Sequence, residues 1–358
     1  MNYAIILAGG SGMRFWPLST GKEPKQFLNI TCGNKPMINL TIKRVSSLIA
    51  PGNIYIAAGR RHGRKIRGYI RNTGIIDRNI FLEPQARNTF APIAYLSKKI
   101  QDLDPEAVII VLPSDHFFKD WHIFKGYLKK GLQLARCGYT VMLGITPKGP
   151  ATGYGYIKAS AADLSKGACR FFKVEKFIEK PDLSKAKMLI KDKRYYWNSG
   201  IFIFRADVML KEISKYAPPA HRIISRAKPK GEGLSKLWRG FKPISIDYAV
   251  MEKTRTGALL PVDCGWTDMG SWQSLEEIMP KDKYGNIFKG PCIDKGSENS
   301  LVWSEGEAKI TATIGLRDMV VVNTRNALLV CPKQRAQEVK AIACMLKGRR
   351  LKRHIRIK

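Results

Sequence analysis

The sequence predicts an α/β protein that has a mixed, mostly parallel sheet and a small β domain near its C-terminal end. In the first half, short apolar runs such as AIILAGG and AVIIVLP alternate with amphipathic stretches, which is typical of a parallel sheet covered by helices. Near Pro280 the character changes, and residues 281–335 are short β-like pieces broken by glycine, asparagine and charged turns. A chain of 358 residues is long enough for more than one domain. We therefore predict domains at 1–280 and 281–345, followed by a basic tail at 346–358.

The predicted elements alternate in type along the chain. Apolar runs predict strands at 3–7, 54–58, 79–82, 107–112 and 140–145. Helical periodicity predicts helices at 36–49, where Pro36 suits a first helical position, and at 121–136. The middle of the chain mixes strands (GYGYIKA, FFKVEKFIEKP, GIFIF) with helices near 183–190, 206–216 and 247–254.

A glycine-rich turn, AGGSGMRFWPLST, follows the first strand and leads to EPKQFL. Glycines let a backbone approach a ligand, and their N–H groups can cradle phosphates; a tight turn without a ligand is the alternative. The turn fits neither the dinucleotide-binding pattern, whose third glycine is missing, nor the P-loop pattern, since Lys22 is followed by Glu23. A phosphate site here would depend on Arg14 and Lys25 as its cations.

Bulk composition limits the class of protein. No apolar run reaches the ~18 residues of a membrane span, and no secretory signal is recognisable at the N-terminus. Seven scattered cysteines without a C-x-x-C pair favour reduced thiols and a cytoplasmic location. The formal net charge of +33 indicates a polyanionic partner. Nucleic acid, an anionic membrane surface and phosphorylated small substrates are the candidate partners. The terminal KGRRLKRHIRIK is the candidate for non-specific polyanion binding, nucleic acid included, and a solvated tail is the alternative.

Two aspartates are candidate metal ligands. Asp115, in VIIVLPSDHFF, follows an apolar strand, where a carboxylate suits Mg²⁺ and an N-cap role is the alternative. Asp268, in VDCGWTDMGSW, has Asp263 as a competitor and a cap for a helix near Ser271 as its alternative. His116 is a further possible ligand, although a lone histidine is more often structural.

Hydroxyl-binding groups complete the set of candidate residues. FIEKP places Glu179 and Lys180 at a strand end, WNSGIF supplies the Asn198 amide, and TGYGYI offers glycines against which a sugar ring can lie. Neither a G-x-S-x-G serine motif nor a Cys–His pairing is present. Phosphoryl-type transfer needs mainly positioning and charge neutralisation. A phosphate monoester is already ionised near neutral pH, since its second pKa is about 6, so the lack of a general base fits nucleotidyl transfer onto a sugar phosphate.

The ordered motifs carry a resemblance to a known family. LAGGSGMRFWPLS, PKQF, LEPQARNT, LPSDH, GYGYI, FIEKP, WNSGIF, SIDYAVMEK and GWTDMGSW occur in this order between about residues 3 and 275. Together they resemble the mannose-1-phosphate guanylyltransferases, a branch of the sugar nucleotidyltransferases. The resemblance implies a Rossmann-like catalytic domain, a β-helix-like C-terminal domain, and the conversion of GTP and α-D-mannose 1-phosphate to GDP-mannose and pyrophosphate with Mg²⁺.

The resemblance also implies a role for each matched residue. Arg14 and Lys25 would neutralise the triphosphate, Lys180 would reach the phosphate under attack, and Asp115 and Asp268 would hold the metal. Sugar hydroxyls would be bound by Gly153, Glu179 and Asn198. Nucleotide binding would involve Ala8, Gly9, Gly10, Gly12, Glu83, Asn88, Thr89 and Ser114.

Two departures from the family pattern are Met13 and Thr20, where threonine and arginine are usual. The cupin-type isomerase domain of the long bacterial forms is not expected in a chain of this length.

Specificity for another nucleotide or for glucose 1-phosphate is the alternative function, and a polyanion-binding protein is a more distant one. A homodimer is compatible with the sequence. Lys25 is expected to be exposed, so that Lys25→Ala would lower turnover far more than stability.

Overall fold

The computed structural model describes residues 1–10, 12–31, 35–164, 170–226, 233–306 and 310–347. Most of the predicted basic tail therefore lies outside the described residues. The chain forms two compact units. Unit 1 comprises Met1–Gly9, Thr41–Ser114 and Phe118–Trp266, and unit 2 comprises Gly10–Leu40, Asp115–Phe117 and the chain from Thr267 onward.

The regular elements of the described residues are numbered in chain order. The strands are β1 (Asn2–Leu7), β2 (Ile54–Gly59), β3 (Ile80–Glu83), β4 (Val108–Pro113), β5 (Phe117–Phe118), β6 (Thr140–Ile145), β7 (Tyr156–Asp163), β8 (Phe172–Ile178), β9 (Tyr195–Arg205), β10 (Gly257–Val262), β11 (Trp266–Thr267), β12 (Ile287–Lys289), β13 (Cys292–Lys295), β14 (Leu301–Ser304), β15 (Thr311–Ile314), β16 (Met319–Asn323) and β17 (Leu328–Pro332). The α-helices are α1 (Met37–Ser46), α2 (Gly63–Ile70), α3 (Phe90–Gln101), α4 (Trp121–Arg136), α5 (Leu183–Leu189), α6 (Ala206–Tyr216), α7 (Pro218–Arg226), α8 (Gly233–Arg239) and α9 (Val339–Lys347).

Unit 1 is built on a mixed sheet, which confirms the predicted α/β fold. Its described strands are ordered β3-β2-β1-β4-β9-β6-β10-β8-β7. The strands β3, β2, β1 and β4 run parallel, as do β6 and β10. β9 lies antiparallel between β4 and β6, and β7 pairs antiparallel with both β8 and β9. The parallel character is thus concentrated in the first half of the chain, where the apolar runs predict it.

Apolar side chains on the strands and helices of unit 1 form its core. The strands β1, β4 and β9 contribute fully buried residues such as Ile5, Ile109 and Phe204. Helix α3 packs on β1, α6 and α7, and helix α4 packs on β4, β6, β9 and β10. Asp120 caps α4, because its carboxylate accepts a hydrogen bond from the Ile123 N–H at 3.0 Å. The sheet and its helices thereby hold the loops at the strand ends in place.

Unit 2 joins the N-terminal glycine loop to the C-terminal strands. Strands β12, β14 and β16 pair in parallel, β17 closes their sheet antiparallel, and β13 pairs in parallel with β15, which confirms the β-helix-like character. One core contains Phe15, Trp272 and Trp303. The Phe15 and Trp272 ring centroids are 5.1 Å apart, and those of Trp272 and Trp303 are 5.8 Å apart. The predicted division at residue 280 stays a prediction, since this compact unit also takes in residues 10–40.

Three local predictions differ in detail from the structure. The predicted helix at 36–49 is shorter, and the segment predicted as a helix at 247–254 forms one π-helical turn, Asp247–Met251. The helix predicted near Ser271 is a 3-10 helix, Trp272–Glu277, that begins with a capping box between Ser271 and Ser274. Among the described residues, no helix has both the length and the apolar character needed to cross a bilayer.

Candidate active site

A pocket of about 330 Å³ in unit 2 brings together several of the predicted residues. Its lining combines residues of the glycine loop, Arg14 among them, with charged residues from four further segments of the chain. The lining residues are Gly12, Met13, Arg14, Phe15, Lys25, Asp115, His116, Asp268, Gly270 and Lys340. Both predicted metal ligands and two of the three predicted catalytic cations therefore face one cavity.

Lys25 is fixed at the centre of this pocket. It opens a 3-10 helix, Lys25–Phe27, and the residue is only 7% exposed, so the expectation of an exposed lysine is wrong. Its Nζ lies 2.7 Å from Asp115 Oδ2 and donates hydrogen bonds of 2.8 Å to the carbonyl oxygens of Asp268 and Met269. An ammonium has three N–H donors, so each of them is used and the lysine is held in one orientation.

Two backbone features of the loops allow Lys25 this position. Gly12 has a φ of 55°, and a Cβ built there would lie 2.5 Å from the Lys25 Cβ, so only glycine fits without displacing the lysine. Met269 is fully buried with a φ of 51°. A non-glycine residue in this region is uncommon and is often found where a site constrains the backbone. Here the turn presents the carbonyls of Asp268 and Met269 to Lys25.

The two predicted metal ligands both lie at the pocket and neither is a helix cap. Asp120 caps the helix after Asp115, and Ser271 caps the helix after Asp268. A Cβ at position 270 would lie 3.0 Å from both carboxylate oxygens of Asp268, so a side chain there would crowd that carboxylate. The competing Asp263 is exposed on unit 1. No group of three or more acidic, histidine or cysteine side chains that could hold a metal occurs among the described residues.

His116 lies beside these charges but is deeply buried. Burial lowers its pKa to about 4, and the Lys25 charge acts in the same direction, while Asp115 and Asp268 oppose it. The imidazole is therefore neutral near pH 7. A neutral histidine adds no positive charge to the pocket, so its cations are Lys25, Arg14 and Lys340.

The residues predicted to contact the nucleotide are divided between the two units. Ala8 and Gly9 follow β1 in unit 1, where Ala8 is fully buried and its N–H donates to the Ala57 carbonyl at 2.8 Å. Gly10 belongs to unit 2 and is exposed with a φ of 93°. Ser114 is fully buried in unit 1, and its Oγ has no hydrogen-bond partner within the described part of the chain.

Glu83 is the last residue of β3 in unit 1, and Asn88 and Thr89 follow this strand. Glu83 is 8% exposed, and burial raises the pKa of its carboxyl to about 7, although a hydrogen bond with the Arg87 backbone opposes this. Asn88 is exposed with a φ of 62°, and its Oδ1 accepts from the Thr89 N–H at 2.9 Å. Thr89 Oγ1 accepts from the Ile246 N–H at 3.0 Å. Glu83 is thus the member of this group whose charge changes near neutral pH.

A second group of polar residues lies in unit 1. Glu179 forms an ion pair with Lys180. The Asn198 side chain is held at both ends: its Nδ2 donates to Asp247 Oδ1 at 2.8 Å, and its Oδ1 accepts from the Gly200 N–H at 3.0 Å. Burial and the nearby Glu179 charge raise the Asp247 pKa to about 6. Within the part of the chain that the structure describes, one amide N–H and one oxygen lone pair of Asn198 remain for a ligand.

The glycines of TGYGYI differ in their surroundings. Gly153 is exposed, and no described atom lies within 4 Å of a Cβ built there. At Gly155, by contrast, a Cβ would lie 2.5 Å from Glu179 Oε2, and its carbonyl accepts from the Asn198 N–H at 2.7 Å. The structure therefore brings Gly155, rather than Gly153, to the Glu179 and Asn198 group.

Asp247 and Lys340 carried no prediction from the sequence, and Gly155 was predicted only as one of the TGYGYI glycines. Asp247 lies within SIDYAVMEK and Gly155 within GYGYI, so the motif signal was present without an assignment to a single residue. Lys340 lies almost 70 residues after the last motif and has no local signal. Only the packing of unit 2 brings it to the pocket.

Comparisons with known proteins identify the family of this chain. The nucleotidyl transferase family model matches residues 3–284, and a model described as a MannoseP isomerase/GMP-like beta-helix domain matches residues 293–346. The mannose-1-phosphate guanylyltransferase of Escherichia coli (strain K12) is 35% identical over 355 residues, which cover 97% of this chain and 73% of the relative. The alginate biosynthesis protein AlgA of Pseudomonas aeruginosa is 36% identical over 348 residues, which cover 94% of this chain and 70% of the relative.

A solved structure extends the similarity to the fold. The crystal structure of mannose-1-phosphate geranyltransferase from Thermus thermophilus superposes with a TM-score of 0.87 at 31% identity, covering 97% of this chain and 99% of that chain. Sequence and fold thus agree over nearly the whole chain. This chain belongs to the nucleotidyl transferase family, within its mannose-1-phosphate guanylyltransferases.

Proposed function

We propose that this enzyme transfers GMP from GTP to α-D-mannose 1-phosphate, and that the pocket of unit 2 binds the reacting phosphates. The observation that supports this most directly is the convergence of Lys25, Asp115 and Asp268 on one cavity. A cation and two carboxylates at one cavity suit a reaction between two phosphate groups.

In this proposal Lys25 and Arg14 reduce the repulsion between the nucleotide and the incoming anionic sugar phosphate. Lys25 is already oriented by Asp115 and two carbonyls, so little reorganisation is needed when phosphate arrives. Arg14 is exposed at the rim, where its planar guanidinium can pair with phosphate oxygens in a bidentate manner. Together they favour the charge that builds up on the departing pyrophosphate.

Asp115 and Asp268 are the residues that would hold a divalent cation, which we propose to be Mg²⁺. Mg²⁺ binds through one or two carboxylates together with substrate phosphates and water, so two aspartates suit it. The metal would supply charge neutralisation and alignment of the phosphates. Gly270 contributes because a side chain at this position would press against the Asp268 carboxylate.

No general base is required for the chemistry. The mannose 1-phosphate oxygen is ionised near neutral pH and forms the new bond to the α-phosphorus. The bond between that phosphorus and the oxygen bridging to the β-phosphate breaks, and pyrophosphate leaves with the electron pair. His116, which is neutral and buried, is not needed as a base.

The polar residues of unit 1 are proposed to bind the mannose and the guanine base. Glu179 and Asn198 are proposed to bind mannose hydroxyls, with Lys180 reaching the sugar phosphate in exchange for its present ion pair with Glu179. Asp247 positions Asn198. Glu83, when ionised, can accept from the N–H groups of guanine.

We also propose a biosynthetic role and a cellular location for this enzyme. Since GDP-mannose is a sugar donor, the similarity to an alginate biosynthesis protein supports a role in polysaccharide biosynthesis. Five cysteines lie within the described part of the chain and are free thiols, which supports a cytoplasmic location: Cys137, Cys264, Cys292, Cys331 and Cys344.

A substrate panel measured by pyrophosphate release tests the proposal. GTP, ATP, UTP and dTTP are each combined with mannose 1-phosphate or glucose 1-phosphate in the presence of Mg²⁺. We expect the highest kcat/KM for GTP with mannose 1-phosphate. A preference for another pair would reassign the specificity, and pyrophosphate release from no pair would refute the function.

A further inference from the structure

We propose that Lys340, a residue of the C-terminal β-helix-like region, binds the terminal phosphates of the nucleoside triphosphate and the pyrophosphate that leaves. This inference rests on the proposed function, because it assigns a ligand to the same pocket. Lys340 lies on α9 and lines the pocket together with Arg14 and Lys25.

The packing of α9 directs Lys340 toward the glycine loop. Val339 is 2% exposed and belongs to the same core as Phe15, and Ala343, one turn later, is also buried. Lys340 and Cys344 are likewise four residues apart and share an adjacent face of the helix. Cys344 Sγ lies 3.8 Å from Met13 Sδ, so this face borders the segment that carries Arg14.

The charge of Lys340 is available to a ligand. Its side chain is exposed, and among the described residues its ammonium makes no hydrogen bond or ion pair. Lys25, by contrast, is already paired with Asp115. The pocket therefore contains one fully engaged cation and, at its edge, a second lysine that is ready to bind an anion.

The balance of charges in the pocket indicates which part of the substrate Lys340 binds. When two carboxylates hold a divalent cation, their charges cancel, and the net positive charge comes from Lys25, Arg14 and Lys340. A nucleoside triphosphate carries most of its negative charge on the β- and γ-phosphates, which depart as pyrophosphate. A flexible ammonium acts as a point charge on such a group. Lys340 thus neutralises charge on the leaving group.

The test compares Lys340→Ala with Lys340→Arg and with a control, Lys295→Ala. Lys295 is an exposed lysine on β13 of the same unit that does not line the pocket. We expect Lys340→Ala to raise the KM for GTP in the forward reaction and for pyrophosphate in the reverse reaction about tenfold. The KM for mannose 1-phosphate and the Kd for GDP-mannose, which lacks the leaving group, should not change. Lys340→Arg should retain most of the wild-type affinity, and Lys295→Ala should match the wild type.

Calorimetric titration of each protein with magnesium pyrophosphate separates this inference from the proposed function, because it requires no turnover. Weaker pyrophosphate binding by Lys340→Ala alone supports the inference, even if the wild type fails to use GTP. Equal pyrophosphate affinity in Lys340→Ala and the wild type would overturn it. An equal loss of affinity for pyrophosphate and for GDP-mannose would also overturn it, since that is the result of a purely structural role.

Discussion

The pocket of unit 2 and the polar group of unit 1 differ in how their charged groups are paired. In unit 2, Lys25 is surrounded by Asp115 and two carbonyl oxygens, so the charges are compensated before any substrate arrives. In unit 1, burial raises the pKa of Asp247 to about 6, and the nearby carboxylate of Glu179 acts in the same direction. The first arrangement suits phosphate transfer, which requires charged groups that are oriented before the substrate binds. The second suits hydroxyl recognition, which requires oriented hydrogen-bond partners more than net charge.

Replacing a carboxylate of the unit 2 pocket should have the largest effect. Asp268→Asn keeps the side-chain shape but removes one of the two charges that would hold the divalent cation. We expect kcat to fall about a thousandfold and the Mg²⁺ concentration for half-maximal rate to rise. A titration of rate against Mg²⁺ measures both. Asp263→Asn, at the exposed aspartate of unit 1, is the matched control, and an unchanged Mg²⁺ titration in Asp268→Asn would remove this residue from the metal site.

Lys25 should rank next, and here the structure changes the expectation from the sequence. The sequence suggested an exposed cation whose removal affects only turnover, but Lys25 is buried and its ammonium has three acceptors. Lys25→Met retains the stem and should lower kcat about a hundredfold. It should also reduce the free energy of unfolding by about 1–3 kcal/mol, because buried carbonyls lose their donor.

Steady-state kinetics and urea denaturation separate the two effects of Lys25→Met. Lys22→Met, at an exposed lysine of the same loop, should leave both quantities near the wild-type values. Wild-type stability in Lys25→Met would show that its three contacts contribute nothing to the fold.

Much of unit 1 is predictable from sequence, because its signals are local. The predicted strand at 140–145 and the predicted helices at 121–136 and 206–216 have the bounds that the structure shows. Buried strands read as continuous apolar runs, and helices carry an amphipathic period. The antiparallel insertion of β9 between β4 and β6 has no such signal, since it depends on a return of the chain across the sheet.

The candidate site was predictable where a motif names its residues and not where packing assembles them. The convergence of Lys25 and Asp115 follows from loops that meet at one pocket. Lys340 reaches the same pocket only because α9 packs beside the 3-10 helix Met13–Phe15. The burial of Lys25 likewise depends on Asp268 and Met269, more than 240 residues away in sequence. Contacts at that separation leave no periodic trace in a single sequence.

A third substitution examines the unit 1 group, with a smaller expected effect. Asp247→Asn removes the charge that holds the Asn198 amide, so the KM for mannose 1-phosphate should rise about tenfold while the KM for GTP stays the same. The wild-type Asp247 is ionised above its pKa of about 6. The ratio of the two KM values for mannose 1-phosphate, variant to wild type, should therefore grow as the pH rises from 5 to 8.

Taking this ratio at each pH cancels the ionisation of mannose 1-phosphate, which also titrates near pH 6. Asp207→Asn provides a control carboxylate in unit 1, paired with Arg205. A ratio that does not vary with pH would mean that the Asp247 charge plays no part in holding Asn198 for the sugar.

The ionisation of Glu83 should have the smallest effect on activity among these predictions, and it should also change the free energy of unfolding. Its pKa is raised from 4.5 to about 7 by burial, so the folded protein holds a proton that the unfolded chain releases. The free energy of unfolding should therefore fall by about 2–3 kcal/mol between pH 4.5 and pH 7 from this group alone. Glu83→Gln cannot titrate, and its urea-denaturation curves should lack this component when compared with the wild type over the same pH range.

The same ionisation should appear in GTP binding. Guanine presents N–H donors, and an ionised Glu83 accepts hydrogen bonds from them better than a protonated Glu83 does. The wild-type KM for GTP should therefore rise about threefold as the pH falls from 8 to 6. Glu83→Gln should show a raised KM that does not vary over this range. If both proteins keep the same pH dependence of KM, the buried carboxyl of Glu83 affects folding alone, and the guanine must be recognised by backbone groups instead.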